Sequence, residues 1–294
     1  MLPRLPRLAE SARLRGLFSP STLDAIWEDA TKHSSERLSA AAEASNNLEY
    51  TATLNSTTVP TNLPFSSSNP AIDRLLSISK IAATNHIDAP VFSSANDIIN
   101  RYYFLSSLKP LAAGSLINVS TKNSLLETPD YSEIVLNKPY NEDFIAKINQ
   151  SFGSWEEFVN LFIASAKSIN GNGYTWLVHR GVNSKEKSSF KEIERLAIVN
   201  TYNNGTPTEF LSKQVSDAKN HNQIFSEKNS EGDVLSVEAA QERSELFSHY
   251  SNPLVGVAVS PEFYLRDYGA FGKDKYVENA VKAIDWDIVV SRLK

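Results

Sequence analysis

The sequence predicts an α+β fold, with a helical N-terminal half followed by a mixed C-terminal half. Apolar residues recur at helical spacing over 19–45 and then over 71–84 and 94–108. In the second half, two further helical patterns lead into three short strand-like runs, and another helix closes the chain. Separate groups of helices and strands of this kind are typical of the α+β class.

The first predicted element is a long amphipathic helix from Ser19 to Ser45. Ser19-Pro20-Ser21 is a typical helix start, because a serine can cap the first turn and proline fits at its first position. The apolar stripe of this helix consists of Leu23, Ile26, Trp27, Ala30, Leu38 and Ala41. Residues 46–70 are polar, β-branched and interrupted by prolines, which predicts an extended loop without an element of its own.

The C-terminal half begins with helical patterns around Phe144 and after Ser154. The three strand-like runs are Tyr174–His179, Leu196–Tyr202 and Leu254–Val259. A polar segment at about 203–250, rich in Asn, Ser, Glu and Lys, separates the second run from the third and is predicted to be an insertion. The closing helix begins at about Asp274.

These patterns divide the chain into three parts. Residues 1–18 form a basic leader, residues 19–125 an N-terminal helical domain, and residues 126–294 a C-terminal domain that carries the insertion. The boundary between the two domains is placed in the irregular stretch 110–139.

Composition excludes several classes of function. The chain has 29 Lys and Arg against 34 Asp and Glu, a formal net charge of −5, so any nucleic-acid contact must be local. It has no cysteine, which rules out disulfides, thiolate metal ligands and a cysteine nucleophile. Since no apolar run approaches the roughly 20 residues of a spanning helix, no membrane association is predicted.

The leader carries four arginines against a single acidic residue, Glu10. The arginines are Arg4, Arg7, Arg13 and Arg15. Such a segment resembles a mitochondrial targeting sequence. A basic arm that extends from the fold is the alternative, since prolines at positions 3 and 6 weaken an amphipathic helix.

Two motifs in the segment 151–178 occur in order and at a specific separation. Phe152-Gly153-Ser154 leads into a helix, and Gly171-x-Gly173-Tyr174-x-Trp176-Leu177 opens a strand. Here the chain resembles the iron/manganese superoxide dismutase family. Further similarities are Thr31-Lys32-His33, Asn100, and the run Pro253-Leu254 with Gly256. The resemblance implies a helical hairpin-like N-terminal domain and a C-terminal domain with a three-stranded antiparallel sheet.

The resemblance also locates the family's metal site, which three histidines and one aspartate form. The corresponding positions in this chain are Asp29, Arg101, Ala258 and Glu262. Arg101 excludes a ligand at its position, because a guanidinium stays protonated and has no lone pair to give. The resemblance therefore implies a chain without metal, cofactor or catalytic residues, which is not an enzyme.

The replacements suggest a structural substitute for the metal. If the fold is retained, Asp29, Arg101 and Glu262 converge where the metal lies, and an unpaired buried carboxylate there would be costly. We therefore expect Arg101 to bridge Asp29 and Glu262 in forked hydrogen bonds, while Ala258 removes a further negative charge. The alternative is that these side chains turn outward or pair elsewhere.

Metal-free relatives of this family include the dismutase-like proteins of the fungal mitochondrial ribosomal small subunit. Similarity to them implies a non-catalytic structural component in the mitochondrial matrix, bound to other small-subunit proteins and to a dismutase-like paralogue as a heterodimer partner. Contact with ribosomal RNA is expected to be limited, with the four leader arginines as candidates. The alternative is a free-standing dismutase-like binding protein, or a divergent metalloenzyme that uses Asp29, His33 and Glu262.

Overall fold

The computed structural model describes seven stretches of the chain, namely 16–45, 47–56, 69–83, 85–111, 131–184, 195–208 and 247–293. Five α-helices form the N-terminal part: α1 (Pro20–Leu23), α2 (Ala30–Ala44), α3 (Leu48–Asn55), α4 (Pro70–Ala82) and α5 (Ala89–Leu105). The C-terminal part contains α6 (Ser132–Val135), α7 (Glu142–Phe152), α8 (Trp155–Ser168), β1 (Gly173–Ser184), β2 (Arg195–Tyr202), β3 (Phe247–Ala258), α9 (Pro261–Tyr268), α10 (Lys273–Lys282) and α11 (Trp286–Ser291). The predicted α+β class is confirmed. The 125/126 domain boundary and most of the insertion lie outside the described residues.

The first helix follows its sequence signals closely. Ser19 caps it by accepting a hydrogen bond from the backbone N–H of Thr22, and Pro20 occupies the first turn. A π-helical segment, Asp24–Asp29, joins α1 to α2, so the three segments form one continuous helix from Pro20 to Ala44. The helix then packs against α5, which also packs on α4. These helices form the N-terminal layer.

Helix α3 corrects the expectation that residues 46–70 contain no element. Asn47 caps this helix by accepting from the N–H of Glu49 at 3.0 Å. Tyr50 and Leu54, one turn apart, are both buried, so tertiary burial outweighs the weak helix propensity of the threonines between them. Residues 57–68 lie outside the described part of the chain.

Tyr50 fixes α3 to the turn that precedes α5. Its hydroxyl donates to Asp88 Oδ2 at 2.8 Å, and Asn85 Nδ2 donates to the same oxygen at 3.1 Å. Burial, followed by the bond to Asp88, raises the pKa of Tyr50 to about 12. The folded state therefore holds the phenolic proton more tightly than the unfolded chain does.

This difference predicts alkaline destabilisation that depends on Tyr50. Because the pKa of Tyr50 is raised in the folded state, its contribution is fully present below about pH 10 and is lost as the pH rises towards 12. The free energy of unfolding, measured by urea titration from pH 9 to 12, should fall less steeply in Tyr50→Phe than in the parent chain. Tyr140→Phe, a change at an exposed tyrosine, is the control; equal slopes for all three proteins would contradict the assignment.

The sheet has the strand order β2-β1-β3, and both pairs of strands are antiparallel. Trp176 on β1 lies opposite Val199 on β2 and Gly256 on β3. The third strand begins at Phe247, inside the segment that the sequence assigns to the insertion. The predicted three-stranded antiparallel sheet is therefore present, and its central strand β1 and outer strand β3 are longer than the sequence patterns indicate.

The Phe-Gly-Ser turn joins α7 to α8. Gly153 ends α7 at a φ of 91°, which only glycine adopts without strain, and Ser154 then caps α8 by accepting from Glu157 N–H. Helix α8 buries Trp155 and Phe158 against Trp286 of the closing helices, at ring-centroid distances of 4.9 Å and 5.9 Å.

In the part of the chain that the structure describes, no helix is long and apolar enough to cross a membrane.

Candidate functional site

Four elements meet where the sequence places a degenerate metal site. Arg101 lies on α5 and is 4% exposed, and Ala258 ends β3 and is fully buried. Glu262 lies in the first turn of α9, where Ser260 precedes the helix and Pro261 begins it. The π-helical segment Asp24–Asp29 contributes its backbone. Side chains from opposite halves of the chain therefore come together at Arg101.

The Arg101 guanidinium is bound on three sides. Nη2 donates to both carboxylate oxygens of Glu262, at 2.8 and 3.0 Å, and Nε donates to Asp97 Oδ2 at 3.1 Å. Nη1 donates to the backbone carbonyl of Ile26 at 2.9 Å. One buried cation thus links the π-helical segment, α5 and α9.

The expected contact between Arg101 and Asp29 is wrong. Asp29 is exposed, and the hydrogen bonds of Arg101 go to Asp97, Ile26 and Glu262 instead. Trp27 and Thr31 are buried, whereas Asp29, midway between them in sequence, lies on the opposite, exposed side of the continuous helix. The helix geometry therefore directs Asp29 towards solvent.

Asp97 takes the place that the sequence analysis gave to Asp29. It lies four residues before Arg101 on α5, so the two side chains meet on one face of the helix. Ser34 Oγ on α2 also donates to Asp97 Oδ2, at 2.6 Å. The spacing of four residues between Asp97 and Arg101 was the sequence signal that could have identified Asp97 as the partner.

The surroundings of Arg101 favour its charged form. Burial alone would lower the pKa of Arg101, but interactions with Tyr174, Asp97 and Glu262 outweigh it, and the pKa is raised. The guanidinium carbon also lies 5.3 Å from the centre of the Phe263 ring, a cation–π contact. Burial in turn raises the pKa of Tyr174. With alanine at position 258, the charge of Arg101 faces the two carboxylates Asp97 and Glu262.

These residues do not fit the family's metal. Arg101 and Ala258 offer no ligand atom, Glu262 is bound to Arg101, and Asp29 points away. His33, the histidine that the metalloenzyme alternative requires, is exposed as well. Across the described stretches, no group of three or more His, Asp or Glu side chains could hold a metal ion. The site is an ion-pair cluster and does not suit a metal of the family's type.

The basic leader meets the fold beside α9. Arg4, Arg7, Arg13 and Arg15 lie outside the described residues. The first described residue is Gly16, and the backbone just after it is anchored: Tyr268 Oη donates to Leu17 O, and Ser19 N–H donates to Asp267 Oδ2. The leader therefore joins the fold beside the end of α9.

Comparison with known proteins agrees with this architecture. Residues 140–215 match the family model of the iron/manganese superoxide dismutases, C-terminal domain. The chain is 30% identical over 117 residues to the Mn/Fe superoxide dismutase of Rickettsia bellii, covering 40% of this chain and 39% of that protein. It is 29% identical over 102 residues to the Fe superoxide dismutase of Nostoc sp., covering 35% and 39%. These matches show that the chain is similar to the iron/manganese superoxide dismutases in its C-terminal part, and the three-stranded antiparallel sheet begins within the matched residues.

A second similarity extends over almost the whole chain. It is 22% identical over 289 residues to the small ribosomal subunit protein mS43 of Schizosaccharomyces pombe, covering 98% of this chain and 83% of that protein. The predicted resemblance to dismutase-like ribosomal proteins is confirmed by this match.

Proposed function

We propose that the chain is a non-catalytic structural component of the small subunit of the mitochondrial ribosome. The observation that carries the proposal is the similarity to the small ribosomal subunit protein mS43 over 98% of this chain. The metal position supports the same proposal, because the sequence resemblance assigns two of the dismutase ligand positions to Arg101 and Ala258, which are buried and offer no ligand atom. A dismutase-type fold has been kept while its chemistry has been lost.

A location in the mitochondrial matrix is part of the proposal. Its support is the arginine-bearing leader, which resembles a targeting segment. In this location the leader arginines either direct import or, where they remain on the mature chain, contact ribosomal RNA or a neighbouring protein.

Protein neighbours are proposed to supply most of the bound surface, among them a dismutase-like paralogue as a heterodimer partner. A net charge of −5 is unsuited to threading through RNA, which favours a peripheral position with local RNA contact. Large apolar side chains on the surface support protein contact, since Tyr140 is 96% exposed and Phe271 fully exposed.

The proposal is tested by sedimentation of the tagged full chain from lysed mitochondria. We expect it to co-sediment with small ribosomal subunits on a sucrose gradient and to remain with them at moderate salt. A reporter fused to residues 1–18 alone serves as a control, which should enter mitochondria but stay at the top of the gradient.

The same preparation distinguishes the alternative of a divergent metalloenzyme or free-standing binding protein. Iron and manganese are measured in the purified chain, together with dismutase activity. Stoichiometric metal in a chain that stays at the top of the gradient would overturn the ribosomal proposal. Ribosome-associated chain without stoichiometric metal would support it.

A further inference from the structure

Two arginines lie directly opposite each other near the end of the sheet. Arg180 on β1 pairs with Arg195 on β2 in the antiparallel register, and both side chains are exposed. Cβ atoms of directly opposed residues are about 4.5–5.5 Å apart, and like charges at such positions destabilise a sheet. The pair therefore concentrates positive charge at one point of an acidic chain.

Neither guanidinium is neutralised within the described residues, where no hydrogen bond or ion pair involves either one. On its other side, Arg180 lies opposite Ser251 of β3, which carries no charge. The connection 185–194 is outside the described part of the chain, and its three lysines and three glutamates add no net charge. An anion supplied from outside the chain would remove the repulsion.

We propose that Arg180 and Arg195 form a binding site for a phosphate group of the RNA backbone. A guanidinium presents planar, forked donors that match phosphate oxygens, and two of them side by side can hold both non-bridging oxygens of one phosphodiester. The identity of the RNA as ribosomal rests on the function proposed above. The site fixes the position of the protein on the RNA without reading its sequence.

The surroundings favour a phosphate over a protein partner. Protein interfaces place aromatic or aliphatic anchors at their centre. The exposed large apolar residue described on the same strand, Tyr202, lies at the far end of β2, about 23 Å from Arg195 at the usual rise per residue. Among the described residues of β2, no large exposed apolar side chain lies beside the charged pair, and such a pair suits an RNA backbone.

The test measures binding of the full chain to a labelled single-stranded RNA of mixed sequence by fluorescence anisotropy, between about 50 and 200 mM KCl. Changing both residues to glutamine (R180Q/R195Q) should weaken binding by about tenfold at the lowest salt. The slope of log K against log salt should become shallower by about 0.7, the value for one phosphate on a single strand. The variant R180K/R195K should keep the slope and lose part of the affinity, because lysine retains the charge without the fork.

The matched control is K32Q/R37Q, which removes the same charge from the exposed face of α2. An equal loss of affinity in this control would overturn the site, because net charge would then be the cause. Polyglutamate that binds the chain as tightly as RNA, and depends equally on the arginine pair, would overturn the phosphate assignment. Competition by inorganic phosphate in the parent chain only, at constant ionic strength, would support it.

Stability provides an independent readout. R180Q/R195Q should unfold at the same urea concentration as the parent or a slightly higher one at low salt, because it relieves like-charge repulsion. Marked destabilisation would contradict the inference, since it would indicate a structural pairing. If the chain co-sediments with small subunits but the variant binds RNA normally, the inference fails and the proposed function stands. If RNA binding depends on the pair but the chain never co-sediments, the proposed function fails instead.

Discussion

Replacing Arg101 with alanine is expected to destabilise the fold by about 3 kcal/mol, near the lower end of the range for breaking a buried ion pair. The substitution leaves Asp97, whose side chain is 15% exposed, and the Ile26 carbonyl without their donor. Glu262 contributes less to the loss, because its side chain is 46% exposed and can be rehydrated. The measurement is the urea midpoint with its m-value.

Two further variants separate charge from packing. Arg101→Lys keeps the cation but cannot reach Glu262, Asp97 and Ile26 together, so an intermediate loss is expected. In the double variant Arg101→Met with Asp97→Asn, the buried carboxylate is no longer charged. The double variant should therefore lose less free energy of unfolding than Arg101→Met and Asp97→Asn added together, by about 1 kcal/mol or more. A loss below about 0.5 kcal/mol for Arg101→Ala, the range of ordinary surface changes, would show that the cluster does not hold the fold together.

The C-terminal half was the more predictable part from sequence. The Phe-Gly-Ser turn, the α8 cap at Ser154 and the Gly-x-Gly-Tyr-x-Trp-Leu strand all depend on local chemistry that the sequence displays directly. These signals lie within one segment, and each requires a particular residue type at a particular place. The sheet follows from them once the fold type is known.

The ion-pair cluster was predictable only in part. Arg101 and Glu262 meet because the fold brings α5 and α9 together, and matching the sequence to the fold type indicates that pair. Asp29 was misplaced because a sequence match records position along a helix, whereas burial depends on its angle around the axis. Helix α3 was missed because its stability comes from burying Tyr50 and Leu54, not from local propensity.

The pairing register of β1 and β2 could not be predicted from the sequence either. Whether Arg180 lies opposite Arg195 depends on how the ten residues between the two strands are accommodated, and a slip of one position would put the two side chains on opposite faces. No composition or periodicity signal specifies that register.

Substituting alanine for Gly256 is expected to cost about 3 kcal/mol, at the upper end of the usual range for overpacking a core. An added Cβ would lie 2.5 Å from Cζ3 and 2.6 Å from Cε3 of Trp176. The indole cannot move aside easily, because it is 1% exposed, stacks on Tyr174 at 5.5 Å, and donates from Nε1 to Thr201 Oγ1 at 2.8 Å. Gly205→Ala is the control, since its nearest contacts are 3.3 and 3.6 Å and the loss should be under about 1 kcal/mol.

A double-mutant cycle tests the cause directly. Trp176→Phe removes the distal part of the ring that the new methyl group would strike, at the cost of the hydrogen bond to Thr201. Combined with Gly256→Ala, it should destabilise the fold by at least about 1 kcal/mol less than the two single changes added together. If the two losses of unfolding free energy simply add, the loss in Gly256→Ala arises from the strand backbone and not from contact with Trp176. A favourable coupling would show that glycine is required on β3 because the tryptophan of the Gly-x-Gly-Tyr-x-Trp-Leu motif lies flat against it.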